Sequence, residues 1–295
     1  MERDQGRIHI PVLVQETIEM LDVKEAGTYV DATLGLGGHA AALLSHLGPA
    51  GTCVGIDRDD EALAHAKGVL GNGRLILRKG NFSQIAEILH EIGIASVDGV
   101  LFDLGVSMLQ IREPQRGFSF SSEERLDMRM DPSQELTAWD VVNGYSEKEI
   151  ETIVREFGDE RHSRRIARAI AVRRQRGPIN TCIELANLFA AVCRTRGRIH
   201  PATKTFQALR MEVNGEVQEV RNGLSSALKA LRRGGRLSVI SYHSIEDRIV
   251  KHFIRDGARE GLLRIITKKP VTPRPDELRE NPSSRSAKLR GAERL

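Results

Sequence analysis

A glycine-rich loop between a short strand and a helix is the feature that most constrains how this chain folds. The loop runs from Gly35 to His39, after an apolar run that ends at Asp31, and residues 40–47 have the pattern of a short helix. This order of elements is typical of a parallel sheet that holds a nucleoside cofactor at the carboxyl ends of its strands. Glycine lets the backbone pass close to a ligand because it carries no Cβ.

Two carboxylates beside the loop bear on which cofactor it holds. Asp57 ends the next apolar run, at the spacing of an acid that binds ribose hydroxyls. Asp31 stands just before the loop, where a carboxylate can accept hydrogen bonds from a cationic amino group. S-adenosyl-L-methionine carries such a group and NAD does not. Asp31 therefore favours S-adenosyl-L-methionine, while the loop pattern and Asp57 also fit a dinucleotide.

Strand and helix patterns alternate through the first part of the chain. Strands are predicted at residues 29–31, 53–57, 75–79 and 99–103, and helices at 40–47, 61–69 and 82–92. Alternation of this kind indicates βαβ units and a parallel sheet. We therefore predict an α/β fold with a doubly wound, mostly parallel Rossmann-like sheet.

The alternation stops near Ile111, and residues 111–206 are helical and arginine-rich, with no convincing central strand. Residues 216–232 then form an amphipathic helix pattern stopped by Gly234-Gly235, and a strand follows at 236–241. The sheet domain is thus expected to be discontinuous, comprising residues 1–110 and 207–295. Residues 111–206 are predicted to be an inserted, all-helical domain that contacts RNA.

The C-terminal part has its own pattern. A helix is predicted from Ser244 to about Asp256, with a capping box formed by Ser244 and Asp247. Residues 263–267 and 287–290 could form a terminal hairpin. The prolines between these two segments predict a long loop.

Composition excludes several classes of protein. Of the 295 residues, 40% are hydrophobic and the net charge is +4, which fits a globular protein and is compatible with a nucleic-acid partner. Cys53, Cys182 and Cys193 form no CxxC pair, so we expect no metal and no disulfide framework. Cys53 lies in an apolar strand and is expected in the core. No apolar run approaches the ~20 residues of a membrane span, so we expect a cytoplasmic protein with no membrane partner.

Polar groups cluster where the predicted strands end. Asp31, Asp57, Asp103 and the run from Ser241 to Ser244 all follow strands, and ligands of doubly wound sheets bind outside these carboxyl ends. Methyl transfer to an exocyclic amine needs acceptors for its N–H groups and alignment with the methyl. Asp103, with the Leu104 backbone, fits that task. Ser241 and His243 complete the predicted catalytic set. His243 could take the released proton or anchor a loop.

A basic helix face is the strongest signal within the insertion. Ile166 and Ile170 lie opposite it and are expected to pack inward. The excess of arginine favours contact with RNA phosphates, although Glu156, Asp159 and Glu160 leave open a merely solvated face of ion pairs. The arginines follow i, i+3, i+4, i+7 spacing and are Arg161, Arg164, Arg165 and Arg168.

Aromatic residues make up 4% of the chain, too few for a broad base-stacking platform. Chemistry on a nucleobase usually needs a single flipped-out base. Phe118, Phe120 and Tyr242 could clamp such a base.

A series of motifs extends along nearly the whole chain. The motifs are Asp31-x-Thr33-x-Gly35-x-Gly37-Gly38-His39, Asp57-Arg58-Asp59, Asp103-Leu104-Gly105-Val106-Ser107 with Gln110, Arg116-Gly117-Phe118-Ser119-Phe120, Leu126-Asp127-Met128-Arg129-Met130-Asp131, His200-Pro201-Ala202-Thr203 with Thr205-Phe206-Gln207, and Ser241-Tyr242-His243-Ser244 with Glu246-Asp247-Arg248. Together they resemble the motifs of the bacterial small-subunit (16S) ribosomal RNA cytosine-N4 methyltransferase family. Their order along the chain makes the resemblance far more specific than the glycine loop alone.

The resemblance implies a class I methyltransferase sheet with an inserted helical domain. It implies S-adenosyl-L-methionine as cofactor and, as substrate, the N4 amine of a cytidine in the decoding region of 16S ribosomal RNA in the small subunit. Asp31 and Gly35 belong to the predicted cofactor site. The other cofactor positions that the resemblance implies are Gly37, Gly38, His39, Asp57, Phe82, Asp103 and Gln110. His9 also matches a family position.

The chain departs from the family at three of these motif positions. Met108 and Leu109 stand where the family usually has a second serine and often a proline or histidine, and Tyr242 replaces a common phenylalanine. Because Met108 and Leu109 are apolar, Gln110 is the polar side chain that remains at the motif positions after Ser107.

Three other functions stay open on the residues alone. The loop pattern fits an NAD-dependent dehydrogenase, and an RNA-binding assembly factor could keep a vestigial cofactor pocket. A DNA amino-methyltransferase typically carries a Pro-Pro-aromatic motif after the fourth-strand acid, where this chain has Leu104-Gly105-Val106. A monomer and a homodimer are both compatible with the sequence.

Overall fold

The computed structural model describes residues 10–71, 73–107, 110–111, 113–192 and 200–295. His9, Met108, Leu109 and Cys193 lie outside the described residues. The strands are β1 (Thr28–Asp31), β2 (Thr52–Asp57), β3 (Leu75–Lys79), β4 (Val97–Asp103), β5 (Leu231–Ser241), β6 (Leu263–Ile265) and β7 (Lys288–Arg294). The α-helices are α1 (Val14–Leu21), α2 (Gly38–His46), α3 (Asp60–Leu70), α4 (Ile85–Glu91), α5 (Ala138–Gly144), α6 (Glu147–Glu156), α7 (Ser163–Arg174), α8 (Cys182–Val192), α9 (Thr203–Val213), α10 (Glu216–Ala230), α11 (Ser244–Arg259) and α12 (Pro275–Glu280).

The seven strands form one sheet with the order β3-β2-β1-β4-β5-β7-β6. Strands β1 to β5 pair in parallel, and β7 runs antiparallel to both β5 and β6. The predicted doubly wound, mostly parallel α/β sheet is therefore confirmed. The strand order reverses between β1 and β4, and ligands of such sheets bind outside the carboxyl ends of the strands at this switch point.

The central strands are buried on both faces. Val30, Val54, Val100 and Phe102 contribute to the main hydrophobic core, and none is more than 1% exposed. Nearly continuous apolar runs are what a parallel strand needs when helices cover both faces of its sheet. Cys53 is 0% exposed within β2 and belongs to the core on the α2 side, as predicted.

The chain divides into two compact units, Met1–Gly105 with Gln218–Leu295, and Val106–Val217. The second unit has its own hydrophobic core and, in its described residues, contains helices and one isolated bridge between Arg125 and Thr181 rather than strands. The predicted boundary at residue 206 cuts through α9. That helix continues to Val213 because Phe206, Leu209 and Val213 lie on its buried face in this second core.

The helix predicted for residues 216–232 ends earlier, and its glycine stop is wrong. Helix α10 ends at Ala230, and Gly234-Gly235 lies within β5, where the register against β4 shifts. The guanidinium of Arg294 donates to the carbonyl oxygens of Leu228 at 2.8 Å and of Lys229 at 3.0 Å, and also to that of Leu231. The Leu228 and Lys229 carbonyls are in the last turn of the helix, where carbonyls lack intrahelical partners, so a side chain from the last strand caps the helix.

The predicted capping box of α11 is shifted by one residue. His243 Nδ1 accepts the N–H of Glu246 at 3.4 Å, and Glu246 Oε2 accepts the N–H of His243 at 3.4 Å. Asp247 instead accepts from Arg290 Nε at 2.7 Å. The helix also continues to Arg259, three residues past the predicted end at Asp256.

The terminal hairpin is confirmed, since β6 and β7 pair antiparallel. The segment between them is partly helical, contrary to the predicted long loop. Helix α12 begins at Pro275, and a 3₁₀ helix begins at Pro282. Proline suits the first helical turn because the N–H that it lacks would have no partner there.

Replacing Arg294 with methionine tests this cap. The variant keeps the apolar stem but removes the charged donor, so the free energy of unfolding should fall by about 1–3 kcal/mol. Arg264→Met is the matched control, because Arg264 pairs with Glu293 at an exposed site and its loss should cost less than about 0.5 kcal/mol. Thermal unfolding measures both. If Arg294→Met lowered the free energy of unfolding no more than Arg264→Met does, the Arg294 cap would contribute nothing beyond a surface ion pair.

Candidate active site

Three predicted site residues are the last residues of neighbouring parallel strands. Asp31 ends β1, Asp57 ends β2 and Asp103 ends β4. Strands β1 and β4 flank the switch point of the sheet. The fold thus brings together the strand-end carboxylates that the sequence indicated.

Asp31 is a buried carboxylate, 1% exposed. Its Oδ1 accepts the N–H of Thr33 at 3.2 Å, whereas Oδ2 has no hydrogen-bond partner among the described residues. Burial raises the pKa of Asp31 to about 6, partly offset by the nearby His39. A buried acceptor without a donor is costly, and an incoming cation with N–H groups would satisfy it.

Asp57 shapes the glycine loop. Its Oδ2 accepts the N–H of Gly35 at 2.8 Å, and its Oδ1 accepts the N–H of Asp59 at 2.9 Å. Burial raises the pKa of Asp57, and these two hydrogen bonds oppose that shift. A carboxylate has more acceptor positions than these two, so Asp57 can organise the loop and still accept hydroxyl hydrogens.

Two loop glycines lie where a Cβ would crowd neighbouring side chains. Gly37 has φ of +81°, and a Cβ there would lie 2.6 Å from Leu70 Cδ1. A Cβ on Gly38 would lie 2.9 Å from Pro11 Cγ. The positive φ favours glycine at position 37, and the close contacts favour it at both positions, so these glycines have a reason within the protein beside the predicted approach of a ligand.

Asp103 is held from several directions. Its Oδ1 accepts the hydroxyl of Tyr242 at 2.8 Å, its Oδ2 lies 3.7 Å from His39 Nδ1, and its N–H donates to Thr33 Oγ1 at 2.6 Å. Burial raises the pKa of Asp103 to about 7, against the Tyr242 hydrogen bond, which lowers it. Its side chain keeps 20% exposure, so another group can reach the carboxylate.

His39 is buried and neutral. Its Nε2 lies 3.0 Å from the carbonyl oxygen of Val12, which can only accept, so Nε2 carries the hydrogen. Burial lowers the pKa of His39, against the nearby Asp31. The ring therefore faces Asp103 with its Nδ1 lone pair.

Ser241 and His243, the other predicted catalytic residues, already have contacts within the first unit. The Ser241 hydroxyl donates to the carbonyl of Lys288 at 3.4 Å, and the residue is 1% exposed. His243 caps α11, and its Nε2 lies 3.0 Å from Glu246 Oε1. These contacts fit the structural alternative for His243, and a catalytic role for either residue stays a prediction.

Phe82 and Gln110, which only the resemblance implied, lie in different units. Phe82 is half-buried and packs edge-on against Phe102, with ring centroids 5.6 Å apart. Gln110 is buried in the second unit, where its Oε1 accepts the N–H of Ser107 at 3.2 Å. The binding roles of both stay predictions.

A family model described as the MraW methylase family matches residues 6–295. The chain belongs to the MraW methylase family. "Ribosomal RNA small subunit methyltransferase H" of Acidobacterium capsulatum is 49% identical over 305 residues, covering 100% of both chains. The protein with the same name from Persephonella marina is 49% identical over 293 residues, covering 97% of this chain and 99% of that one. The methyltransferase resemblance of the motifs is thus confirmed.

The sheet of this methylase, with the order β3-β2-β1-β4-β5-β7-β6 and an antiparallel β7, fits the mostly parallel sheet that the resemblance implied. A rRNA methylase of known structure from Streptococcus thermophilus overlaps with a TM-score of 0.44 at 12% identity, over 96% of this chain and 93% of that chain. Among the described residues, no helix has the length and apolarity that crossing a membrane would require.

The predicted arginine face of the methylase is partly rearranged. Helix α7 begins at Ser163, so Arg161 precedes it rather than sharing its face. The arginines within the helix, Arg164, Arg165 and Arg168, are exposed. Arg168 pairs with Glu147 at 3.1 Å, not with the nearby acids that the sequence suggested, and Arg165 donates to the carbonyl of Val192 at 2.9 Å.

The predicted aromatic clamp has other contacts in the methylase. Phe120 stacks on His200 with ring centroids 4.4 Å apart, and Phe118 packs against the core of the second unit. Tyr242, in the first unit, bonds to Asp103. The sequence did not predict this hydrogen bond, because it showed only that Tyr242 has one more hydroxyl than the phenylalanine common in the family. A role for these rings in clamping a base stays a prediction.

The buried Asp31 carboxylate predicts a pH-dependent stability. Because the folded pKa of about 6 exceeds the unfolded value, the stability from its proton is fully present below pH ~4 and is lost as pH rises through ~6. Relative to Asp31→Asn, the wild-type free energy of unfolding should fall by about 1–2 kcal/mol between pH 5 and pH 8. Urea unfolding across this range measures the difference. A constant difference would mean that Asp31 titrates normally.

Proposed function

We propose that this methylase transfers the methyl group of S-adenosyl-L-methionine to the exocyclic N4 amine of a cytidine in the decoding region of 16S ribosomal RNA. The observation that carries the proposal is the buried Asp31 carboxylate, whose Oδ2 lacks a donor among the described residues, beside Asp103 at the switch point of the sheet. Asp31 suits the cationic amino group of the cofactor, and Asp103 suits the amine of the substrate. Family membership supplies the class of reaction.

The residues at the strand ends fit S-adenosyl-L-methionine. Asp31 Oδ2 would accept from its cationic amino group, which would also stabilise the charged form of the carboxylate. Asp57 would accept the ribose hydroxyls while its bond to Gly35 keeps the loop in place. When bound, the cofactor supplies an electrophilic methyl on a positively charged sulfur.

Asp103 is proposed to act on the substrate amine. The lone pair of an exocyclic amine is delocalised into the base, so accepting hydrogen bonds from its N–H groups makes the nitrogen a better nucleophile. The carboxylate and the Leu104 carbonyl are the acceptors in this proposal. The new N–C bond would replace the methyl–sulfur bond of the cofactor, whose electron pair stays on the sulfur. The amine must also lose a proton, and Asp103, with its pKa raised to about 7, is suited to receive it.

Asp103 is better suited to this proton than His243. Both ring nitrogens of His243 approach Glu246, whereas Asp103 has an exposed fraction and its Oδ2 has no close donor among the described residues. We therefore assign the proton to Asp103 within the proposed mechanism. Ser241 is left with the Lys288 carbonyl as its partner.

The proposed substrate rests on the relatives and on charge. The relatives are named as small-subunit ribosomal RNA methyltransferases, and the motifs resemble the cytosine-N4 family. The exposed arginines of α7 offer planar donors that suit phosphates. Arg164 supports this contact further, because it has no carboxylate within ion-pair distance among the described residues.

Replacing Asp103 tests the reaction. Asp103→Asn keeps the shape of the side chain but removes its charge, and Asp103→Ala also removes the acceptor. Both should lower the rate of methyl transfer by about 10²–10⁴-fold. The assay follows labelled methyl from S-adenosyl-L-methionine into unmodified small subunits, with nucleoside mass analysis of the product.

Cofactor binding measured by calorimetry is the control for this experiment, because it separates the loss of methyl transfer from the loss of a cofactor contact, which the resemblance also assigns to Asp103. N4-methylcytidine formed at the wild-type rate by Asp103→Asn would overturn the role of Asp103. Binding of RNA and cofactor without any methyl transfer by the wild type would instead indicate an assembly factor. Binding of NAD in place of S-adenosyl-L-methionine would indicate a dehydrogenase.

Reversing charge on α7 tests RNA contact. Arg164→Glu combined with Arg165→Glu should weaken binding to small subunits. The slope of log K against log salt should become shallower by about 0.7–0.9 for each phosphate that the variant no longer neutralises. Lys251→Glu combined with Arg259→Glu, on exposed positions of α11, makes the same change in net charge and should leave the slope close to wild type. Equal slopes in the two double variants would mean that the α7 arginines are simply solvated.

A further inference from the structure

We propose that Tyr242 is a positioning residue, whose hydroxyl holds Oδ1 of Asp103 and leaves Oδ2 as the atom that meets the substrate amine. This inference rests on the proposed role of Asp103. The phenylalanine that is common in the family at this position cannot make the bond, so the inference concerns what this chain adds to the reaction.

The hydrogen bond joins the ends of two adjacent strands. Asp103 ends β4 and pairs in register with Ile240 of β5, two residues before Tyr242. The Tyr242 hydroxyl donates to Asp103 Oδ1 at 2.8 Å. A Cβ on Gly105 would lie 3.6 Å from Tyr242 Cδ2, so the turn after Asp103 also runs along the ring. The hydroxyl is therefore placed by the sheet itself.

Both partners are anchored through their backbones. The N–H of Tyr242 donates to Glu246 Oε2 at 2.9 Å, which ties the residue to the first turn of α11. The N–H of Asp103 donates to Thr33 Oγ1 at 2.6 Å, which ties it to the residues after β1. Because the main chain is held, Asp103 can move only by rotation about its side-chain torsions, and the hydrogen bond from Tyr242 restricts this rotation.

The other carboxylate oxygen faces no comparable donor among the described residues. Asp103 Oδ2 lies 3.7 Å from His39 Nδ1, and His39 gives its hydrogen to Val12 through Nε2. In this neutral form Nδ1 presents a lone pair. Oδ2 is thus left to accept from an N–H of the substrate.

The surroundings of Asp103 disfavour its charge, so the hydrogen bond from Tyr242 has a large effect on whether the carboxylate is ionised. Burial raises the pKa of Asp103 most, and Glu246 of α11 raises it further. Asp31 of β1 is a second carboxylate close enough to interact, and His39 of α2 is neutral because burial lowers its pKa. The Tyr242 hydroxyl is the group that favours the charged carboxylate. Removing it should raise the pKa of Asp103 and narrow the pH range in which it can accept.

Tyr242→Phe tests the proposal, and the same ring shape should preserve the fold. The acid limb of the pH profile of kcat should move to higher pH by about one unit, since a hydrogen bond to a charged group has about that effect on a pKa. At pH values well above the limb, kcat should approach that of the wild type. The carboxyl titration is followed independently in protein labelled with ¹³C at the aspartate carboxyl carbon, with Asp103→Asn to assign the signal.

The matched control is Tyr145→Phe. It removes another tyrosine hydroxyl that donates to a carboxylate, Glu212 Oε1 at 3.2 Å, in the second unit. Neither the rate profile nor the Asp103 signal should move in this variant.

The outcomes separate this inference from the proposed function. Upward shifts of both the Asp103 signal and the acid limb in Tyr242→Phe would support it. An unmoved Asp103 signal would overturn it, as would a moved signal with an unchanged rate profile. Failure of the proposed function would be seen in a different experiment, in which Asp103→Asn would transfer methyl groups at the normal rate.

Discussion

The structure depends on burying carboxylates at one edge of a parallel sheet. Asp31, Asp57 and Asp103 all end strands, and burial disfavours the charge of each, so that the pKa of every one is raised. Without compensation such a cluster opposes folding. The surrounding backbone supplies much of that compensation, through the N–H groups of Gly35, Asp59 and Thr33. The loop after β1 therefore has its shape partly because carboxylates need donors.

One buried carboxylate oxygen has, in the part of the chain that the structure describes, no hydrogen-bond donor to compensate its burial, and the proposed function depends on this atom. Asp31 Oδ2 has no donor among the described residues, so the protein bears a cost that a bound cation would remove. A site of this kind gives affinity for a cationic ligand and lowers the stability of the empty protein at neutral pH. Asp57 differs, because two backbone N–H groups already hold it.

Much of the sheet could be predicted from the sequence, because β1, β2 and β4 are buried apolar runs that each end in Asp. What could not be predicted depends on contacts distant along the chain. The end of α10 is capped by Arg294, and the α11 cap uses His243 because its ring nitrogen can accept an N–H as a serine hydroxyl would. The site carboxylates were predicted from their strand ends, whereas the Tyr242–Asp103 bond requires the register of β4 and β5.

The two carboxylates at the switch point differ in their surroundings, and this difference suits a division of labour. Burial raises the pKa of Asp31, and its Oδ2 has no donor among the described residues, which a cation with N–H groups would supply. Burial also raises the pKa of Asp103, and its side chain keeps an exposed fraction, so it is suited to receive a proton from a substrate amine. A cation held by Asp31 would lower the pKa of its neighbour too, since opposite charge favours the ionised form. In the proposed mechanism, cofactor binding therefore prepares Asp103 to accept, and the Tyr242 hydroxyl acts in the same direction before the cofactor arrives.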